Sequence, residues 1–213
     1  MHIAILLYDR LTLLDAIGPY EVLSNLPDAT VQFVAKEAGS IRADSGALTL
    51  LADVTFADVV RTDVLVVPGG NSGTAAAAKD ATTLDWVRAM HATSRWTTSV
   101  CTGALILGAA GLLQGLRATT YWSAGPALAQ FGATYLPQRY VQEGKIITAA
   151  GVSAGIDMAL FLAAEIAGVE RARAIQLALE YDPQPPFDAG SPASAGPETV
   201  ELARRVLRES PRQ

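Results

Sequence analysis

Short runs rich in Val, Ile and Thr alternate along this chain with longer helical stretches, and most of the runs end in a loop carrying glycine or an acid. This alternation constrains the fold more than any other feature, because parallel strands need crossover connections of helix length and an alternation of strands with such segments supplies them. The runs predict strands over 3–8, 31–36, 64–67 and 97–100, and helices over about 16–25, 82–93, 102–110 and 154–167. Further strands are expected at 47–51, 140–142 and 146–149, the last two joined by a hairpin turn through Glu143, Gly144 and Lys145, and a final helix over 198–208. The expectation is a single domain over 1–213, a mostly parallel α/β sheet with helices on both faces.

Composition excludes several function classes. Half the residues are apolar and 17% are charged, as in a chain that folds around a core. The net charge of -5 offers no basic face for nucleic acid, so no nucleic-acid partner is expected. One cysteine cannot form an internal disulfide, and with two histidines it cannot build the usual structural zinc site. No metal is therefore expected, and a reducing cytoplasm is the expected compartment. The opening MHIAILLYDR lacks the basic region and cleavage site of a signal peptide, and no apolar run approaches the roughly 20 residues of a membrane span.

In sheets of this kind chemistry gathers beyond the carboxyl ends of the strands. Four loops occupy those positions: DRLTLLDAIGP, PGGNSG at 68–73, CTG at 101–103 and AAGVSAG at 149–155. GVSAG matches the Gly-x-Ser-x-Gly elbow of serine hydrolases, but that chemistry needs a histidine after the serine, and the only histidines are His2 and His91. Ser153 then reads as a helix cap. The same absence argues against a Cys-His protease.

Cys101 as a residue type is a small buried hydrophobe as readily as a reagent. Its position favours the second reading, because it falls where TTSV ends and GALILGAAGLL begins, on a sharp strand-to-helix turn relieved by Gly103. The helix N-terminus there is expected to favour the thiolate and depress the thiol pKa. PGGNSG fits neither a P-loop nor a dinucleotide fingerprint. The N–H groups of Gly69 and Gly70 are candidate oxyanion donors, though a plain turn explains these glycines equally well. Asp15, among leucines in LLDAIGPYEVL, is either an N-cap or a carboxyl raised by its apolar setting into proton-shuttling range. Asp9, beside Arg10, reads as solvated.

Taken together, LLDAIGPYEVL, VVPGG, SVCTGALILGAAGLLQGLRATTYW and LEYDPQPPFDAGSP resemble the ThiJ/PfpI superfamily, and within it the isonitrile hydratase (isocyanide hydratase) branch. The resemblance spans almost the whole chain. It implies a flavodoxin-like fold of the class I glutamine amidotransferase type, a homodimer, and a lyase with no cofactor. It implies Cys101 as nucleophile toward a small-molecule isocyanide, Asp15 as general acid and base, Thr102 assisting, and a thioimidate intermediate hydrolysed to an N-substituted formamide. Many relatives carry histidine where this chain has Tyr121, and protease and glyoxalase relatives carry histidine where it has Thr102. Another thiol enzyme of glyoxalase or deglycase type, or a redox sensor built on Cys101, are the alternatives.

Overall fold

The computed structural model describes residues 1–209. The chain runs β1 (His2–Leu6), α1 (Leu13–Leu23), β2 (Thr30–Ala35), β3 (Gly39–Arg42), β4 (Thr49–Ala52), β5 (Val54–Thr55), β6 (Val64–Val67), α2 (Ser72–Ala77), α3 (Ala81–Thr93) and β7 (Trp96–Val100). It continues through α4 (Gly103–Ala109), β8 (Arg117–Ala118), a 3-10 segment (Trp122–Phe131), β9 (Thr134–Tyr135), β10 (Tyr140–Glu143), β11 (Ile146–Ala149), α5 (Ala154–Ala167), α6 (Val169–Ala178) and α7 (Pro192–Glu209). Seven strands form one sheet in the order β10-β11-β7-β6-β1-β2-β5, parallel throughout except for the β10–β11 hairpin.

Burial on both faces explains why the central strands read as continuous apolar runs rather than alternating ones. Ile3 and Ile5 of β1, with Val64 and Val66 of β6, face a core completed by α1, α5 and α6. Ala4, Leu6, Leu65 and Val67 face the other core, completed by α3 and α4. From β1 the chain crosses to β2 on one side, and it returns to place β6 on the other. That reversal opens a crevice between the carboxyl ends of β1 and β6, where a doubly wound sheet admits a ligand.

Several elements differ from expectation for identifiable reasons. The run at 47–51 lies not in the main sheet but in β4, paired antiparallel with β3 in a separate hairpin. Helix α1 starts at Leu13, not at 16, so Asp15 stands in its first turn; the cap position belongs to Thr12, whose side chain makes no capping bond. Ser153 occupies the cap position of α5, also without a capping bond, and its hydroxyl accepts instead from Arg139 at 3.1 Å. Helix α2 is only six residues long and α6 is rich in charge, so neither carries a legible apolar period. Helix α7 reaches back to Pro192 across a kink at Gly196, where φ is 76°. The Pro-rich stretch before it, residues 182–191, is exposed throughout. Among the described residues no helix is long and apolar enough to cross a membrane.

Candidate active site

Strand β7 delivers Cys101 onto the start of α4 with a positive φ of 56°, a conformation that side-chain-bearing residues avoid and that projects the thiol out of the turn. Three bonds hold the turn in this shape. The Cys101 N–H is shared between the carbonyls of Ala149 at 3.1 Å and Ala150 at 2.9 Å, while Thr120 Oγ1 donates to the Cys101 carbonyl at 2.8 Å. Gly103 is required by space: a Cβ there would lie 2.1 Å from the Val67 carbonyl oxygen.

Asp15 is fully buried. Its Oδ2 accepts the Gly69 N–H at 2.9 Å, and its Oδ1 is buried without a hydrogen-bond partner. The group beside it is the Cys101 thiol, and the two alter each other's ionisation. Burial raises the Asp15 carboxyl to about 7, against the pull of the Gly69 N–H and the thiol. The raised carboxyl thus lies against the cysteine.

The thiol departs from expectation. Burial, reinforced by the charge of Asp15, pushes Cys101 up to about 12, and the N–H groups of Val152 and Thr102 recover only part of the shift. A helix N-terminus stabilises a thiolate when the sulfur is partly solvated; here the residue is 5% exposed and faces a carboxylate, so desolvation wins. The resting Cys101 is therefore a protonated thiol. Alkylation of Cys101 by iodoacetamide is expected to keep climbing from pH 7 to pH 10 without a plateau, a profile that quenched mass spectrometry reads directly.

The Gly69 and Gly70 amides are likewise not free donors. Gly69 holds Asp15, and the Gly70 N–H donates to Thr102 Oγ1 at 3.0 Å. The expected oxyanion role is corrected accordingly: these N–H groups are already satisfied within the chain. Gly69 is needed for close approach, since a Cβ would sit 2.5 Å from Thr102 N and 2.9 Å from Asp15 Oδ2. The Thr102 hydroxyl also donates to the Gly70 carbonyl at 2.8 Å and lies 2.8 Å from Thr74 Oγ1. Thr74 in turn meets the Tyr8 hydroxyl at 3.1 Å, so a line of three hydroxyls buttresses the elbow. The sequence reading missed Thr74, Tyr8, Thr120 and Val152. Thr74 could have been found from its position directly after PGGNSG, in the first turn of α2; the other three act through contacts distant in sequence. Asp9 is exposed and pairs with Arg10 at 3.8 Å, outside the site. The described residues contain no cluster of three or more His, Cys, Asp or Glu able to hold a metal ion.

Comparison with known proteins agrees with this architecture. The chain is 46% identical over 205 residues to isonitrile hydratase from Pseudomonas putida, an alignment covering 96% of this chain and 89% of that one. The crystal structure of a ThiJ/PfpI family protein from Pseudomonas syringae matches with a TM-score of 0.92 at 42% identity, covering 98% of this chain and 87% of the other. DJ-1beta of Drosophila melanogaster, with a TM-score of 0.77 at 23% identity over 84% of this chain and 97% of its own, shares the fold. Residues 1–165 match the model of the DJ-1/PfpI family. The chain belongs to the DJ-1/PfpI family.

Proposed function

We propose that this protein is an isonitrile hydratase, adding water to an isocyanide to give an N-substituted formamide. The observation that carries the reading is the buried pair of Cys101 and Asp15, a protonated thiol against a carboxyl poised near neutrality, in a chain 46% identical to an isonitrile hydratase. In the first step the Cys101 sulfur bonds to the terminal carbon of R–N≡C. The thiol proton passes to the Asp15 carboxylate and from there to that same carbon, leaving a thioimidate, S–CH=N–R. Water then adds to the carbon as Asp15 relays a proton to nitrogen. The C–S bond breaks, the formamide leaves, and sulfur regains its proton.

This chemistry suits the site's polar inventory. Attack on an isocyanide carbon builds negative charge on carbon, which a proton quenches, so the first step calls for an acid rather than a pair of N–H groups aimed at an oxygen. Thr102 takes a supporting role in this scheme, bracing the Gly70 turn so that Gly69 can hold Asp15. The molecule is proposed to act as a homodimer; exposed Leu177 and Phe187 offer apolar surface for it, and light scattering on eluted protein gives the stoichiometry.

Incubation with alkyl and aryl isocyanides should yield the formamides, seen by NMR, and Cys101→Ala and Cys101→Ser should yield none. The rate constant kcat/KM is expected to rise with pH through about 7, because Asp15 must be ionised to accept the thiol proton. Turnover of methylglyoxal with no turnover of any isocyanide would overturn the assignment.

A further inference from the structure

Cys101 is nearly closed off, so a substrate must reach the sulfur past a neighbour that is itself partly open to solvent. Asp15 and Gly69 are buried and tied to each other, and the Thr102 hydroxyl is turned into the bonds with Gly70 and Thr74. The partly exposed turn 150–152 also lies against Cys101 and supplies the Ala150 carbonyl to the Cys101 N–H and the Val152 N–H to the sulfur. Tyr121 lies on that turn. A Cβ built on Gly151 would fall 2.6 Å from Tyr121 Cδ2 and 3.0 Å from Cε2, so the ring occupies the space that the missing side chain leaves.

The ring is held there from several directions. The preceding residue, Thr120, is bonded to the Cys101 carbonyl at 2.8 Å, and the Tyr121 carbonyl accepts the Ala124 N–H at 2.8 Å. Trp122 packs against it with centroids 5.7 Å apart, and Arg204 of α7 lies 5.6 Å above the Trp122 ring. Burial raises the Tyr121 phenol, the Trp122 side chain opposes that shift, and the field of Cys101 adds to it. The phenol is therefore neutral at working pH and within electrostatic reach of the sulfur.

We propose that Tyr121 is the specificity-determining wall of this site: its ring, seated on Gly151 and tethered to the Cys101 turn through Thr120, admits isocyanides with slender or flat substituents and rejects tertiary alkyl groups. The inference rests on the isonitrile reading for its substrate class and on the packing alone for its steric content. A rigid apolar wall discriminates by roughly tenfold or more for branching it cannot accommodate.

The experiment compares kcat/KM for n-pentyl and tert-butyl isocyanide in the wild type, Tyr121→Ala and Tyr121→Phe, with Tyr121→Val as a second truncation should the alanine variant fold poorly. In parallel, Cys101 is labelled with N-ethylmaleimide and N-tert-butylmaleimide, each rate normalised to the unfolded chain. The truncated variant is expected to raise the tert-butyl to n-pentyl ratio by about tenfold and to shift the maleimide ratio the same way. Tyr121→Phe, which keeps the ring, should leave both ratios where they stand. Ratios unchanged by truncation, or changed equally by the phenylalanine variant, would overturn the proposal. If no isocyanide is turned over by the wild type, the functional assignment falls, while the maleimide ratio still decides the wall.

Discussion

Asp15→Asn is expected to give a protein that is nearly inactive and yet more stable than the wild type at pH 8. Loss of activity follows from the proposed proton path, since an amide can neither accept the Cys101 proton nor deliver one to carbon. A drop in kcat/KM of about 10³ is expected, typical of removing a positioned acid-base group. The gain in stability follows from linkage. Burial raises the folded Asp15 from 3.8 to about 7, so the folded state binds this proton more tightly than the unfolded chain does. Below pH 3.8 the carboxyl is protonated in both states and the native site suffers no charge penalty. As pH rises from 3.8 toward the folded pKa near 7, stability is lost at about 1.4 kcal/mol per pH unit, and above that pKa the penalty is constant. The accumulated cost is on the order of 4 kcal/mol above neutrality. Asparagine avoids it while its carbonyl oxygen still accepts the Gly69 N–H. Urea melts at pH 4 and pH 8 should therefore nearly coincide for the two proteins at the lower pH and separate at the higher. A variant less stable than wild type at pH 8 would refute this account of the carboxyl.

The second large effect is expected at Gly103. Alanine there would place a methyl group 2.1 Å from the Val67 carbonyl oxygen and 2.8 Å from that of Pro68, contacts with backbone rather than with yielding side-chain ends. To relieve them α4 must move away from β6, and both are central to one face of the core. A loss of roughly 3 kcal/mol or more is expected for such overpacking. For a chain of this size that corresponds to a fall in Tm of about 10 °C. Cys101, carried on the same turn, would lose its register with Asp15, so activity should fall further than the fraction of folded protein. Thermal melting monitored by circular dichroism, with activity measured well below the transition, separates the two effects.

The fold was largely legible because burial on both faces writes the parallel strands as uninterrupted Val and Ile runs, with Gly or an acid marking each loop at the chemical end. The juxtaposition of Cys101 and Asp15 was legible for the same reason: one closes a strand at a forced turn, and the other sits among apolar residues at the start of a helix. What escaped was anything set by contacts between distant segments. The thiol's ionisation could not be read from its helix N-terminus alone, because its sign depends on burial by α1 and α5 and on a carboxylate 86 positions away in sequence. The amides of Gly69 and Gly70 looked free because their partners, Asp15 and Thr102, come from other loops. Helix α2 was hidden because its six small residues, Ser72–Ala77, carry no period.

Pro19 lies inside α1, four residues after Asp15. A proline has no N–H to return to the carbonyl four positions earlier, so the ladder of α1 has a missing rung at the backbone of Asp15 itself. The Asp15 carboxyl therefore stands on a turn that lacks this one rung and is tied to the neighbouring loop by its own side chain, through the Gly69 N–H. Position and proton affinity of the acid are consequently one property: whatever loosens the Gly69 bond frees the turn and raises the carboxyl's pKa in the same stroke.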